Sequence, residues 1–388
     1  MADFDVIVCG LGVMGSAALY QLARRGQRVL GLERFTPGHE RGSSHGETRV
    51  IRLGYFEHPS YVPLLQRAYE LWRELEKEAR RPLLPITGIL EIGAPASALV
   101  KGTLASAQLH RLSHEVLAAG ALMQRYPCFT VPSDYLAVLQ PDGGFVEAEQ
   151  AIEATLALAA AAGAEIRSGQ RVRVIEPDKD GVRVITDAPP VEARSAIITA
   201  GPWTSALLPE LNLPLRATRQ VVGWFEPRDK NMFSNQRLPV FIIESPHGMH
   251  YGIPPHAGRP LKVAKHHHAN EAVDPEHYDR GVSAADEELI RVALMNYIPA
   301  ANGALLHAET CLYTMAPDGD FVIDQLPDAP HVLIASPCSG HGFKFAPVIG
   351  EALAELATTG STRHDISRFR LSRFAAAQQE PEDPVALA

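Results

Sequence analysis

Apolar and polar positions along this chain change period several times, and each change marks an element. Val6-Ile7-Val8 is a continuous β-branched run, the pattern of a strand covered on both faces in a parallel sheet. It runs into Cys9-Gly10-Leu11-Gly12-Val13-Met14-Gly15, then a helical stretch Ser16–Arg25, then a second strand Arg28–Leu32 that ends on Glu33. Leu64, Leu65, Ala68, Leu71, Trp72 and Leu75 form one stripe of a helix expected near Ser60–Arg80, and the stripe reads as core. A helix over Ala148–Ala162 leads to a strand at Glu165–Ser168, a hairpin-like pair Val172–Glu176 and Gly181–Thr186, and a strand Ala193–Ala200. Between Arg219 and His267 the pattern alternates. Strands are expected there at Val221–Glu226, Val240–Glu244, Met249–Ile253 and Leu261–His266, an antiparallel meander with one face available to a ligand. Strand His331–Ala335, loop Ser336–Gly342 and helix Ala346–Thr358 close the pattern, and the tail after Gln378 is expected to be mobile. The first pattern resumes after an excursion near Pro82–Gln140, so the expected organisation is two interleaved lobes.

The opening unit has a definite chemistry. Strand, G-x-G-x-x-G, helix, strand and acid in one βαβ unit is the dinucleotide fingerprint. Gly10 permits the tight turn, Gly12 lets the backbone approach a pyrophosphate, and Gly15 lets the helix pack on the strand. The helix's first amides then face the phosphates. Glu33 is placed to hold a ribose hydroxyl pair, and its charge disfavours a 2′-phosphate, so NADP is the least suitable dinucleotide.

Composition narrows the class. The 388 residues carry 36 Lys plus Arg against 45 Asp plus Glu, a net charge of −9 without a basic block, which argues against a nucleic-acid partner. Apolar runs such as Leu156–Ala162 are far shorter than the ~20 residues of a membrane span. Cys9, Cys128, Cys311 and Cys338 are widely spaced, against both a disulfide framework and structural zinc. The acidic start Ala2-Asp3-Phe4-Asp5 enters a strand directly, so no signal or transit peptide is expected. These features describe a soluble enzyme of a reducing compartment, expected in the cytoplasm.

Three further segments are dense in reactive side chains. In Arg41-Gly42-Ser43-Ser44-His45-Gly46-Glu47-Thr48-Arg49-Val50-Ile51-Arg52, the arginines Arg49 and Arg52 follow the ligand-binding end of the sheet. They read either as carboxylate clamps or as surface arginines paired with Glu47 and Glu57. In Ser339-Gly340-His341-Gly342-Phe343-Lys344-Phe345 the glycines allow close approach to a flat ligand, and Lys344 reads either as a snorkelling surface lysine or as a cation presented from an aromatic wall, its place in a strand-to-helix loop favouring the second. Cys311, in Glu309-Thr310-Cys311-Leu312-Tyr313, is either a small core residue or a nucleophile. His266-His267-His268 is a poor metal site, because neighbours on a strand point to opposite faces.

From VIVCGLGVMGSAA through SSHGETRVIR and LKVAKHHH to CLYTMAPDGDFVID and SGHGFKF, the chain resembles the monomeric sarcosine oxidase and N-methyltryptophan oxidase group of flavoenzymes, relatives of D-amino-acid oxidases. The fold this implies is α/β, a Rossmann-type FAD-binding domain (1–82, 142–215 and 320–388) interleaved with an α+β substrate domain built on an antiparallel sheet (83–141 and 216–319). The resemblance implies FAD, bound by Gly10, Gly12, Gly15 and Glu33 and approached by Arg41, Ser44, Val172 and Gly201. Gly340, Gly342 and Lys344 approach it from the other end of the chain, and Cys311 is implied to attach covalently to the flavin 8α-methyl. Arg52 and Lys344 are implied to bind the substrate carboxylate, and Lys262 (not the neighbouring Lys265) to lie where oxygen is activated. Tyr251 and His266 match positions near substrate, while His45 and Arg49 match positions near the flavin ring.

The implied reaction is sarcosine + O2 + H2O to glycine, formaldehyde and H2O2 in a monomeric enzyme whose partners are a small amino acid and oxygen, with no metal, membrane or nucleic acid. An oxidase of a bulkier or cyclic secondary amino acid (N-methyltryptophan, pipecolate or a proline-like substrate) is the alternative, as is a flavin dehydrogenase that hands electrons elsewhere. Side-chain preference is expected to lie in the Val240–Tyr251 wall and in the loop His58–Val62, while Pro337 and Cys338 have no clear role, Cys338 reading as a small residue beneath the flavin.

Overall fold

The computed structural model describes residues 2–233 and 238–377, so the tail after Gln378 lies outside the described residues. Two large sheets organise it. The first runs in the order Val322–Leu326, Ala329–Ser336, Val191–Ile198, Phe4–Cys9, Val29–Leu32 and Glu165–Arg167. From Ala329–Ser336 onward every neighbouring pair is parallel. Strands of that kind are covered on both faces, which is why Ile7, Val8, Leu30 and Leu32 are all buried. The hairpin Val172–Pro177 and Val182–Thr186 adds antiparallel strands to Val191–Ile198. Helices Val13–Ala23, Val62–Ala79, Ala148–Ala161 and Ala346–Thr359 share one core on one side of this sheet, and the predicted Leu64–Leu75 stripe is buried in it.

The second sheet has the order Leu305–Met315, Arg216–Phe225, Leu261–Lys265, Gly248–Ile253, Val240–Ser245, Ile89–Gly93, Leu136–Gln140 and Glu115–Ala118. The predicted meander is its centre. Strands from the Pro82–Gln140 excursion complete one flank, and the long Leu305–Met315 strand forms the other edge, paired along its length with Arg216–Phe225. Helix Ala284–Tyr297 packs on this sheet, begun by a capping box between Ser283 and Asp286.

A third, two-stranded sheet pairs Thr48–Ile51 with Gly144–Glu147, and it delivers Arg49 and, just beyond it, Arg52. One expectation is corrected here. The strand expected to reach His266 ends at Lys265, and His267 and His268 adopt positive φ values of 62° and 35° in a turn. The three histidines diverge because of the turn, not because of strand alternation: His266 lines a cavity, while His268 Nε2 lies 2.9 Å from Asp286.

Candidate active site

A cavity of about 410 Å³ runs from the strand ends of the first sheet to the face of the second, within the range of small-molecule sites. One end is the glycine turn. Gly10 has φ +97°, and a Cβ on it would lie 2.7 Å from the Thr199 carbonyl oxygen. A Cβ on Gly15 would lie 1.8 Å from the Gly10 carbonyl oxygen, so helix and strand can meet this closely only at glycine. Gly12 opens helix Val13–Ala23 without a side-chain cap of its own; the Val13 amide donates to Ser44 Oγ at 3.3 Å, and Gly12, Val13 and Met14 line the cavity at the helix start. Glu33 is buried at the end of Val29–Leu32, its two oxygens accepting from the amides of Leu11 (2.8 Å) and Phe35 (2.9 Å). Burial raises its pKa, but His39 and the two amides outweigh that and keep the carboxyl below its usual range. A turn that only glycine can make, a helix N-terminus at the cavity and an oriented carboxylate together fit a pyrophosphate and a ribose. Ser44, Val172 and Gly201 also line this end.

The other end is a pair of buried cations. Arg52, 3% exposed, lies with its guanidinium 4.4 Å from the Tyr55 ring and 4.7 Å from the Phe56 ring. Its Nη2 donates to both oxygens of Glu57 (3.0 and 2.9 Å), its Nε lies 3.0 Å from Glu91, and its Nη1 is buried with no partner. Lys344, 6% exposed, sits 5.2 Å from the same Tyr55 ring and donates to the His341 carbonyl at 2.7 Å. Burial, then Arg52, pushes its pKa down to about 7. The loop beneath it is braced. Tyr55 donates to His341 Nδ1 at 2.6 Å while His341 Nε2 donates to the Gly319 carbonyl at 3.0 Å, which fixes the neutral tautomer. Trp72, a core residue as expected, also donates to the Lys344 carbonyl at 2.8 Å.

Between the two ends lie Cys311, Tyr313, Tyr251 and His266. Burial pushes the Cys311 thiol pKa up, and Arg49 and Lys262 pull it partly back. Burial, with a contribution from His267, holds His266 neutral. Lys262 is buried behind the cavity wall, donating to the carbonyls of Gly46 and Thr48 (2.9 Å to the latter), and burial followed by Arg49 lowers its pKa to about 7. Arg49 lines the cavity over the Phe343 ring and donates to the carbonyls of Ser43, His45 and Thr48, so the surface pairing with Glu47 does not form. For Arg52 both readings hold, since it is a buried cation and a partner of Glu57.

A model of the FAD dependent oxidoreductase family matches residues 5–356. The chain belongs to that family. Among curated relatives it is 42% identical over 378 residues to monomeric sarcosine oxidase of Bacillus sp. strain B-0618, covering 96% of each chain. It is 37% identical over 373 residues to N-methyl-L-tryptophan oxidase of Salmonella enteritidis PT4, covering 96% of this chain and 99% of that one. Among solved structures, NikD, described as an unusual amino acid oxidase essential for nikkomycin biosynthesis, superposes with a TM-score of 0.84 at 27% identity, over 95% of this chain and 98% of that one. The fold is thus that of the FAD dependent oxidoreductases, the protein is a flavin oxidoreductase, and FAD is the dinucleotide that the cradle accepts.

Within this family member the expected site residues are not all equally placed. Gly340 and Gly342 line the cavity with Lys344, whereas Gly15 lies beneath the glycine turn and His45 is buried behind the wall, its Nδ1 3.5 Å from Glu309. Arg41 is exposed over the Phe35 ring, outside the lining, although Gly42, Ser43 and Ser44 belong to it. The His58–Val62 loop does not reach the cavity. Phe56 and Glu57, just before it, do. Pro337 and Cys338 both line it, and the Pro337 carbonyl lies so close to Gly342 that a Cβ there would be 1.6 Å away. Sequence reasoning missed Tyr55, Gln140 and Glu91. The signal for Glu91 was present, a lone charge inside the apolar strand Ile89-Leu90-Glu91-Ile92.

Proposed function

We propose that this chain is a flavin-dependent oxidase of secondary amino acids of the N-methyl kind, converting sarcosine, O2 and water to glycine, formaldehyde and H2O2. The observation that carries the reading is the pairing of Arg52 and Lys344, two buried cations on one tyrosine ring, in the same cavity as the glycine cradle. A buried guanidinium with an unpartnered Nη1 beside a second ammonium is suited to a small carboxylate. The relatives' names point to the same substrates.

FAD, when bound, supplies the two-electron chemistry that oxidises the C–N bond and reduces oxygen. This chain's residues supply position and charge. Arg52 and Lys344 hold the carboxylate, which orients the amine end of the substrate toward Tyr251, His266 and Cys311. The same two charges lower the pKa of a bound amine, favouring the neutral form that can be oxidised. His266 stays neutral and adds no competing cation. Lys262, held by two backbone carbonyls, favours negative charge that develops on oxygen during its reduction. Cys311, buried with Arg49 and Lys262 acting on its thiol, is assigned as the covalent attachment point of the flavin. Residues 1–82, 142–215 and 320–388 are assigned to FAD and 83–141 with 216–319 to substrate, in a monomer. Four unpaired cysteines suit the cytoplasm, and among the described residues no helix is long and apolar enough to cross a membrane.

Anaerobic mixing of the purified holoenzyme with sarcosine tests the reading. Bleaching of the flavin absorbance, followed on aeration by one H2O2 per turnover, is expected. A yellow protein that neither sarcosine nor N-methyltryptophan nor pipecolate bleaches would overturn it.

A further inference from the structure

Glu91 is a carboxylic acid at the heart of the protein with a use that the reaction above leaves unassigned. It sits in the strand Ile89–Gly93 with no exposed surface, register-paired with Ile242 on one side and Val138 on the other. Its Oε1 lies 3.0 Å from Arg52 Nε but makes no aligned hydrogen bond, while its Oε2 accepts from Gln140. Gln140 in turn accepts from the Gly54 amide at 2.6 Å and donates to the Gly54 carbonyl at 3.3 Å. Glu91 is therefore tied to the backbone two residues past Arg52 as well as to the guanidinium itself. The groups facing it are Arg52 and Glu57 from the loop after Thr48–Ile51, Thr103 from helix Ala98–His110, Gln140 from Leu136–Gln140 and, across the cavity, Lys344.

With all four groups ionised, the charges around Arg52 balance before substrate arrives: two cations, Arg52 and Lys344, against two acids, Glu57 and Glu91. A third carboxylate brought into this buried space leaves an excess of negative charge. Glu57 is partly exposed and can turn that excess toward solvent. Glu91 cannot, and the only relief open to it is a proton.

We propose that Glu91 is the proton-accepting counterion of the carboxylate clamp: docking of a carboxylate on Arg52 and Lys344 is accompanied by protonation of Glu91. In the protonated form its O–H has Thr103 Oγ1, otherwise without a partner, as acceptor and the carboxyl no longer competes for the guanidinium, so Glu91 acts as a positioning residue that releases Arg52 to substrate. Burial, opposed by Arg52, already raises its pKa to about 7, so the proton is available near neutrality. This rests on the reading of Arg52 and Lys344 as the carboxylate site.

The test uses the FAD-loaded enzyme and methoxyacetate, which has the shape and carboxylate of sarcosine but an ether oxygen in place of the amine, so every proton exchanged belongs to the protein. Binding heats measured at pH 8 in buffers of different ionisation enthalpy give the number of protons taken up. Wild type is expected to take up more than Glu91→Gln, the difference approaching one proton. Affinity in wild type falls as pH rises above about 7, and Glu91→Gln flattens that slope, leaving the part due to Lys344. Glu91→Asp restores the uptake with a displaced midpoint, and it decides the matter should the glutamine variant not fold. Equal proton uptake in wild type and Glu91→Gln, or an unshifted midpoint in Glu91→Asp, overturns the role of Glu91 alone. Failure of methoxyacetate to bind wild type overturns the clamp and this proposal together.

Discussion

Lys262 and Cys311 show how far a single side chain's surroundings decide its chemistry. Lys262 is held between two carbonyls with its pKa lowered to about 7, so at neutral pH a nearby negative charge suffices to keep it protonated. Replacing it with methionine should leave flavin reduction by substrate nearly intact and slow reoxidation by ~10²- to 10³-fold, the scale of removing one preorganised charge from a reacting oxygen. Stopped-flow traces of the two half-reactions check this, and equal losses in both would reject the assignment. Cys311→Ala should yield protein whose yellow colour washes out on denaturation, whereas in wild type, with Cys311 as the proposed attachment point, the colour should stay with the chain. Glu91 supplies a pH signature of its own. Its pKa rises from 4.5 to about 7 on folding, so its contribution is fully present below about 4.5 and is lost as pH rises through 7, a term on the order of 3 kcal/mol. Glu91→Gln should remove that slope, which melting temperatures between pH 4.5 and 8 would reveal. At this scale the glycine motif and Glu33 were legible because spacing alone encodes them. The roles proposed for Cys311 and Lys262 rest on resemblance, and Glu91 was legible only as a lone charge in an apolar strand, since its partner Arg52 is brought to it and to Gln140 by a fold that the local pattern does not encode.

Among the elements, the parallel strands and the meander were legible because continuous or alternating apolar positions mark them. The Leu305–Met315 strand was not. His307, Glu309, Cys311 and Tyr313 occupy one of its faces, so a strand that lines the site carries polar groups where a core strand would carry apolar ones. Helix Ala284–Tyr297 had a readable start in Ser283-Ala284-Ala285-Asp286, a capping-box pattern that hydrophobic periodicity does not detect. The loop between Ala329–Ser336 and Ala346–Thr359 is the tightest element of the site. At Gly340, φ is +79° and a Cβ would lie 2.6 Å from the Tyr313 ring and 2.9 Å from His266. Gly340→Ala should therefore displace both side chains and raise KM for substrate by at least tenfold, with FAD content retained. A variant with normal KM would show that the loop adapts.

At the level of the whole molecule, the cavity is shared by both large sheets, so whatever fills it ties them together. FAD should then stabilise the fold by linkage, about 2.7 kcal/mol at a free concentration 100 times its Kd. In Cys311→Ala, where the flavin would be free to exchange, melting temperature should climb with added FAD, and in wild type it should not. The division into two large sheets was legible because the α/β pattern stops and resumes. The sharing of one cavity was not, because Arg52 and Lys344 stand at opposite ends of the chain and only the completed fold makes them neighbours.

The cations and the wall opposite them come from different parts of the architecture. Arg52 and Lys344 sit on loops anchored by the small sheet and the parallel sheet, whereas Ile242, Met249 and Tyr251 belong to the antiparallel sheet. Handle and mould, in the proposed reading, thus stand on different sheets. If Arg52 and Lys344 hold the substrate's acid group as proposed, residues that shape its variable part can be exchanged on one sheet without disturbing the cations carried by the other two.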